Sequence, residues 1–260
     1  MFEIKIYLIE YYLILERING KIGKFLCRRE LVILIVEQFL IFSNIFKRRS
    51  RVLENKKGFL VEICGIDGSG KTTQAEEVVK ILKSQNKKAS YIHPFKHKEW
   101  ASKELKEIAK NYQTSFNSMY SNGVKVDTYT IDLIYNTFNE IQTRILNGEI
   151  VVVDKYKMDS EIYIPLFVEN KTLFDYVKNI LPEPQIKFFL NVDPSVAYSR
   201  IQARDPGKNN LRESLEYMRK ANIEFLIRAK ENKVITINGQ RTITEITTEI
   251  YENIKGFVGE

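Results

Sequence analysis

A glycine-rich segment at residues 65–73 constrains the fold of this chain more than any other feature. It reads Gly65-Ile66-Asp67-Gly68-Ser69-Gly70-Lys71-Thr72-Thr73, follows the apolar run 59–64 and precedes a helix-like stretch. Glycines allow backbone angles that other residues resist, so that consecutive N–H groups can converge on phosphate oxygens. With a strand before it and a helix after it, the segment predicts a phosphate-binding loop in a parallel α/β protein.

The loop predicts which residues bind the nucleotide. The lysine of such a loop reaches the β- and γ-phosphates, and the hydroxyl that follows it binds Mg²⁺. We therefore expect ATP with Mg²⁺ as the bound pair, with Thr72 as a metal ligand. The predicted ATP-binding residues are Gly65, Asp67, Gly68, Ser69, Gly70, Lys71, Thr72 and Thr73.

From residue 58 onward, short β-branched runs alternate with longer helical patterns. Strands are predicted at 59–64, 89–93, 150–154, 186–192 and 233–237. Helices are predicted at 71–85, 98–111, 127–146, 161–168, 172–180, 195–204, 212–231 and 242–254. This order predicts a P-loop NTPase fold of three α/β/α layers around a five-stranded parallel sheet, in a kinase domain at 58–260.

Residues 1–57 form a separate N-terminal region, predicted to be a helical extension that is apolar and basic. Its most apolar stretch, 31–42, contains Glu37 and Gln38 and is too short for a membrane span, which needs about 20 mainly apolar residues. A basic cluster follows at 47–51. Two interpretations stay open for residues 31–51: contact with a protein surface, or peripheral contact with an anionic membrane.

Composition narrows the function class only in part. The 260 residues are 44% hydrophobic and 28% charged, which is typical of a globular protein, and the net charge of +7 suits anionic ligands. The two cysteines, Cys27 and Cys64, lie far apart, which indicates a reducing compartment and thus the cytoplasm. Two histidines are too few for a metal centre. The expected partners are ATP and a small acceptor, without nucleic acid, and a homodimer is left open.

A second signal is the apolar strand that ends at Asp154 and is followed by Lys155. In a parallel sheet, ligands bind at the carboxyl ends of the strands, so this carboxylate is expected beside the phosphate loop. There it can hold Mg²⁺ or set the position of an acceptor, and Lys155 adds a cation for phosphates.

Together these motifs resemble the thymidylate kinase family of P-loop nucleoside monophosphate kinases, over about residues 58–256. The resemblance rests on the loop 65–73, on Asp154-Lys155-Tyr156 with Ser160 and Tyr163, and on a Pro194-initiated helix after the strand 188–192. That helix carries Arg200 and Arg204 and leads to a loop at 205–211, where the family has a mobile lid.

The resemblance implies roles for single residues. Asp67 would hydrogen-bond a sugar hydroxyl of the acceptor, and Asp154 would organise the metal and the acceptor phosphate. The implied catalytic residues are Lys71, Asp154, Arg200 and Arg204, with Lys208 and Arg212 as further cations of the lid. The implied acceptor-binding residues are Asp67, Pro94, Phe95, Lys155, Tyr156 and Tyr163.

Three departures from the family pattern lie in the acceptor half, and the glycine-rich loop has one further difference. An Arg-Glu-Pro segment is reduced to residues 92–95, and Lys155 stands where the family has arginine, which loses a bidentate fork. A gap-free count places the family's acceptor-binding Phe and Arg at Thr130 and Ile134, and the loop has Gly68 after Asp67 instead of arginine. Charge neutralisation is therefore expected from the lid side.

The expected reaction is ATP-dependent phosphoryl transfer to thymidylate or a related nucleoside monophosphate. One alternative is a kinase for a nucleoside or another small acceptor, in which Asp154 or Glu161 would take the proton of a hydroxyl. The other is an ATP-binding regulatory protein with little turnover.

Overall fold

The computed structural model describes residues 58–170, 172–204, 206, 214–232 and 234–258. The predicted extension at 1–57, including 31–51, lies outside the described residues. So do Lys208, Arg212 and all but residue 206 of the predicted lid loop.

The five predicted strands are confirmed. They are β1 (Phe59–Cys64), β2 (Ala89–Ile92), β3 (Ile150–Asp154), β4 (Ile186–Asn191) and β5 (Ile235–Asn238). They form one sheet in the order β2-β3-β1-β4-β5, and every neighbouring pair is parallel. The carboxyl ends of β1, β2 and β3 therefore meet at one edge of the sheet, next to the glycine-rich loop.

The helices connect the strands and cover the sheet. In chain order they are α1 (Lys71–Ser84), α2 (Ala101–Asn111), α3 (Phe116–Met119), α4 (Asn122–Asn136), α5 (Gln142–Leu146), α6 (Lys157–Phe167), α7 (Leu173–Val177), α8 (Pro194–Arg204), α9 (Leu215–Glu231) and α10 (Ile243–Val258). A π-helical turn at Thr137–Ile141 joins α4 to α5.

Alternation along β1 explains why the sheet is covered on both sides. Val61 and Ile63 pack in a core cluster with residues of α1 and α10, such as Val78 and Ile250. Leu60 and Cys64 point to the opposite side, where residues of α4, α6, α8 and α9 cover the sheet. The predicted three-layer α/β/α arrangement is confirmed.

The long helical region before β3 differs from the prediction of one helix at 127–146. Helix α4 begins five residues earlier, because Ser121 caps it by accepting a hydrogen bond from the Val124 N–H group at 3.4 Å. Its sequence contains Gly123, which local propensity disfavours inside a helix. The π-helical turn then adds a residue to the helical path, which changes the faces that later residues present.

Within the part of the chain that the structure describes, every helix is too short or too polar to span a bilayer.

Candidate active site

The glycine-rich loop turns sharply between β1 and α1. Gly68 and Gly70 have φ angles of 79° and 95°, in the left-handed region that favours glycine. A Cβ atom at position 68 would lie 2.3 Å from the carbonyl oxygen of Ala197 in α8. Helix α8 therefore packs directly on the loop, and this close approach explains why an arginine after Asp67 does not fit this chain.

Lys71 lies inside the loop and not on its solvent side. Its side chain is 4% exposed, and Nζ donates hydrogen bonds to the carbonyl oxygens of Gly65 at 2.6 Å and Ile66 at 2.8 Å. Two carboxylates, those of Asp67 and Asp159, each lie 4.0 Å from Nζ. The ammonium group is thus held by backbone dipoles at the point where the loop closes.

Asp154 joins the end of β3 to the loop and to β2. Its buried carboxylate accepts a hydrogen bond from the Thr72 hydroxyl at 2.6 Å and another from the Tyr91 hydroxyl at 2.9 Å. Burial and the nearby Asp154 charge raise the pKa of Tyr91 well above its ordinary value, so Tyr91 stays protonated and donates. The two residues predicted to bind the metal, Thr72 and Asp154, are therefore in direct contact.

Lys155 and Asp67 form an ion pair, with 2.7 Å between Nζ and Oδ1. The backbone of Lys155 has a φ of 54°, a left-handed conformation that is uncommon for a residue with a side chain. Burial lowers the pKa of Lys155, but the carboxylates of Asp67, Asp154 and Asp159 raise it, and the net direction is upward. The strand end thus directs a firmly charged cation at the carboxylate of the loop.

Tyr163 in α6 also contacts the loop. Its hydroxyl oxygen accepts a hydrogen bond from the Asp67 N–H group at 3.2 Å, and its ring stacks on Tyr217 with 6.1 Å between centroids. At the start of the same helix, the Met158 N–H group donates to Glu62 of β1 at 2.9 Å. Burial raises the pKa of the Glu62 carboxyl to about 7. Helix α6 is therefore fixed to β1 and to the loop.

The segment after β2 reaches the same edge of the sheet. Burial lowers the pKa of His93 to about 4, a direction that Lys155 and Lys96 reinforce against the opposing effect of Asp154. Pro94 is held through its carbonyl oxygen, which accepts from the Asn136 side-chain amide at 2.8 Å. Phe95 packs partly buried against the core and faces the edge of the His93 ring. The segment 93–95 is thus neutral and largely apolar, and it lies near the charges of Asp154 and Lys155.

Tyr156, in contrast, lies in the core. Its side chain is fully buried in the core, and its hydroxyl donates to the carbonyl oxygen of Pro182 at 3.2 Å. In this structure the side chain packs in the core, and its role in acceptor binding stays a prediction. Tyr156 follows a strand end, where sequence alone does not distinguish a side chain that faces the site from one that packs in the core.

The two arginines of α8 differ in their surroundings. The two terminal guanidinium nitrogens of Arg200 donate to the carbonyl oxygen of Gly239 at 3.3 Å, in the turn that follows β5. Arg204 is the last residue of the helix and is exposed, next to the loop that lies outside the described residues. Arg200 thus connects α8 to the carboxyl end of β5.

The gap-free count to Thr130 and Ile134 leads to buried positions. Ile134 is fully buried in a core cluster with Phe138, and the Thr130 hydroxyl donates to the Val126 carbonyl oxygen in its own helix. Neither residue offers a side-chain group to an acceptor, because the apolar one packs and the polar one is satisfied within α4.

Three polar residues of the site were not predicted. Tyr91 and Asn136 hold Asp154 and the Pro94 carbonyl, and Asp159 faces Lys71. The helical spacing of Asp159 and Tyr163, four residues apart, was a usable signal, because it places both on one face of α6. Tyr91 and Asn136 carried no local signal, since their partners are distant along the chain.

The parallel sheet, the glycine-rich loop and the strand-end carboxylate define the chain as an enzyme of the P-loop nucleotide kinase class. A family model described as thymidylate kinase matches residues 63–250. The chain belongs to the thymidylate kinase family.

Individual relatives agree with this assignment. A probable thymidylate kinase of Pyrobaculum aerophilum is 29% identical over 198 residues, covering 76% of this chain and 97% of that protein. A probable thymidylate kinase of Archaeoglobus fulgidus is 26% identical over 200 residues, covering 76% and 96%. A thymidylate kinase of Plasmodium falciparum is 28% identical over 207 residues, covering 77% and 91%.

The ion pair of Lys155 with Asp67 allows a test of which cationic group this position requires. Lysine and arginine have the same backbone requirement, so Lys155→Arg changes only the cation in a position with a φ of 54°. We expect KM for a phosphate-bearing acceptor to fall a few-fold with kcat kept, because a planar fork can bind a carboxylate and a phosphate oxygen together. Lys155→Met, which removes the charge, should raise that KM roughly tenfold or more. Steady-state kinetics of both variants measure this, and a loss of about 10²-fold in kcat/KM for Lys155→Arg would instead indicate a remodelled acceptor position.

Proposed function

We propose that this protein transfers the γ-phosphoryl group of ATP to thymidylate, or to a closely related nucleoside monophosphate, and releases ADP and the nucleoside diphosphate. The observation that carries the proposal is the direct contact between the loop and the strand end. The Thr72 hydroxyl donates a hydrogen bond to Asp154. Lys155, the residue after Asp154, forms an ion pair with Asp67. Donor-side and acceptor-side groups therefore lie within one hydrogen-bonded unit.

In this proposal each group of the unit has a physical task. The loop N–H groups and Lys71 bind the β- and γ-phosphates, and Lys155 attracts the acceptor phosphate. Asp67 orients a sugar hydroxyl of the acceptor while Tyr163 holds its backbone. Positioning and charge neutralisation supply most of the rate enhancement in phosphoryl transfer, because the protein has little covalent chemistry to perform.

Mg²⁺ is the metal that the donor set suits. Thr72 and Asp154 present a hydroxyl and a carboxylate oxygen 2.6 Å apart, and Mg²⁺ prefers oxygen ligands from one or two side chains together with substrate phosphates. No cluster of three or more His, Cys, Asp or Glu side chains with metal-binding geometry occurs among the described residues. When bound, the ion would neutralise phosphate charge, and Asp154 would orient Thr72 toward it.

Arg200 and Arg204 are proposed to act from the lid side. Arg200 already donates a hydrogen bond to the Gly239 carbonyl in the turn after β5. In the proposal, this contact positions Arg200 to stabilise the bound nucleotide. Arg204 ends α8, and in the proposal its guanidinium group neutralises charge on the transferred phosphoryl group.

The proposal is tested with an acceptor panel. Purified protein with Mg-ATP is offered the common nucleoside monophosphates and thymidine, and the phosphorylated products are separated and identified. We expect thymidylate to give the highest kcat/KM. Transfer to another monophosphate at more than tenfold the thymidylate value would correct the acceptor. Tight ATP binding without transfer to any member of the panel would favour the regulatory alternative.

The N-terminal region adds a finer proposal. We infer from its sequence that residues 31–51 contact a protein surface or an anionic membrane and that the enzyme acts in the cytoplasm, and we leave homodimer formation open. Co-sedimentation with anionic and neutral vesicles tests the membrane contact, and light scattering of the full chain measures the oligomeric state.

A further inference from the structure

Asp159 is a buried carboxyl group in the site that lacks a hydrogen-bond partner. It is 2% exposed, and neither of its oxygens has a partner among the described residues. Its closest cation is Lys71, with 4.0 Å between Nζ and Oδ1, the outer limit of an ion pair. A buried carboxyl group without hydrogen bonds costs stability, so its presence in the site calls for a functional explanation.

The fold places Asp159 against the loop from two directions. Helix α6 is fixed at its start by the hydrogen bond from Met158 to Glu62, one residue before Asp159. Four residues later, Tyr163 contacts the backbone of Asp67. Residues four apart share a helix face, so Asp159 lies on the face that Tyr163 turns to the loop.

An acid in the first turn of a helix often only stabilises the N-terminal N–H groups. That role gives the carboxylate a backbone N–H partner, and Asp159 has none among the described residues. A second simple role, neutralising Lys71, is weak here, because the Lys71 ammonium is already bonded to two carbonyl oxygens at 2.6 and 2.8 Å.

The charges around Asp159 come from every element that packs on it. Burial raises the pKa of Asp159 well above its ordinary value, and the nearby groups act in both directions. The ionisable groups that interact with it are Lys71 of α1, Glu62 and Cys64 of β1, Asp154 and Lys155 at the end of β3, and Tyr163 of α6. Burial and the nearby acids oppose ionisation of Asp159, whereas Lys71 and Lys155 favour it.

We propose that Asp159 is a substrate-contacting residue whose carboxyl group shares a proton with an O–H group of the acceptor at the point of transfer, and so selects the acceptor's protonation state. This inference rests on the proposed function. Two acceptors bring such a group: a phosphate that carries one proton, and a sugar hydroxyl. A phosphate monoester loses its second proton at a pKa of about 6, so the protonated form is present near neutral pH.

The proton balance differs between the two acceptors. With a phosphate acceptor, an acceptor oxygen forms the new bond to the γ-phosphorus, the bond to the β–γ bridging oxygen breaks, and ADP leaves. The shared proton stays between Asp159 and the acceptor phosphate. With a hydroxyl acceptor, the same bonds form and break, and the hydroxyl proton passes to the Asp159 carboxylate and then to water.

The test compares Asp159→Asn with the unaltered full-length protein. The amide keeps the size of the side chain but holds its N–H donors at every pH. We measure kcat/KM for thymidylate between pH 6 and 8.5, and repeat the assay with thymidine. The titration of thymidylate itself cancels when kcat/KM of the unaltered protein is divided by kcat/KM of Asp159→Asn. We expect this ratio to be on the order of 10- to 100-fold at pH 6, the range for a lost hydrogen bond with a charged group. At pH 8.5 the ratio should approach one.

Asp175→Asn is the matched control, because it makes the same substitution at a carboxylate of α7 that pairs with Lys178 at 3.4 Å and has no role in the proposed site. Its ratio should stay flat across the pH range. ATP affinity and thermal melting are recorded for both variants, since a loss of folding lowers activity equally at every pH.

The outcomes separate the two proposals. A pH-dependent ratio with thymidylate supports a shared phosphate proton. Transfer to thymidine that Asp159→Asn abolishes supports a hydroxyl acceptor, and if thymidylate is then inactive, the proposed function is wrong while the role of Asp159 stands. A flat ratio with thymidylate together with unchanged thymidine activity overturns the role of Asp159 alone. No transfer to either acceptor overturns both.

Discussion

Lys71→Met should lower kcat for phosphoryl transfer on the order of 10³-fold, since it removes a positive charge aimed at the phosphates in a water-poor site. Methionine keeps most of the side-chain volume, which matters because Lys71 is only 4% exposed. The change also removes the hydrogen bonds to Gly65 and Ile66 and leaves Asp67 and Asp159 without their common cation. Turnover with saturating Mg-ATP and thymidylate measures the effect.

Lys80→Met is the control for this experiment. Lys80 lies on the exposed side of the same helix, where it pairs with Glu77 at 2.6 Å, and exposed pairs contribute little to stability. The control should keep its activity and its melting temperature. If Lys71→Met retained more than about a tenth of the activity, well above the loss expected for such a donor, the assignment of this loop to the transferring phosphates would be wrong.

The fold was predictable because its signals are local. Each strand is a short run with β-branched or aromatic residues, and β1 alternates between two covered faces, so strand bounds differ from prediction by two residues or fewer. The loop motif likewise places Lys71 and Thr72 without knowledge of the rest. Helix α4 was less predictable, because the capping serine at 121 overrides the disfavoured Gly123 and a π-helical turn interrupts the helical path after Asn136.

The acceptor half of the site was predictable only in part. Lys155 and Tyr163 lie where the motif indicates, since both follow a strand end at fixed spacing. The burial of Tyr156 was not predictable, because one residue decides whether a side chain after a strand turns to the site or to the core. Contacts between distant segments, such as Tyr91 with Asp154, depend on tertiary packing and leave no periodic signal.

The buried contacts of Lys71 also change how the loop is understood. A phosphate-binding lysine is expected at a solvent-facing turn, yet here its ammonium is enclosed by the loop carbonyls and by two carboxylates. In the proposed function, phosphates would therefore compete for this cation with the loop carbonyls and the two carboxylates.

Asp154→Asn should lower kcat on the order of 10²- to 10³-fold and raise the Mg²⁺ concentration needed for half-maximal activity. The carboxylate accepts hydrogen bonds from the Thr72 and Tyr91 hydroxyls on its two oxygens. An amide has only one accepting oxygen, so one of these hydroxyls meets an N–H group and turns away. The negative charge that would support the metal is lost at the same time. Buried as this position is, we also expect a stability loss of about 1–3 kcal/mol.

Tyr91→Phe separates the charge of Asp154 from its orientation. It removes one hydroxyl donor and leaves both the carboxylate and its bond to Thr72. Because a group that only orients a ligand typically affects metal affinity or activity by about 10- to 100-fold, the loss should be smaller than that of Asp154→Asn, with a smaller change in Mg²⁺ dependence. Activity measured across a Mg²⁺ titration for both variants, with melting curves, distinguishes the cases. Equal losses without any change in Mg²⁺ dependence would assign Asp154 to the integrity of the strand end, and the metal would then depend on Thr72 and the phosphates alone.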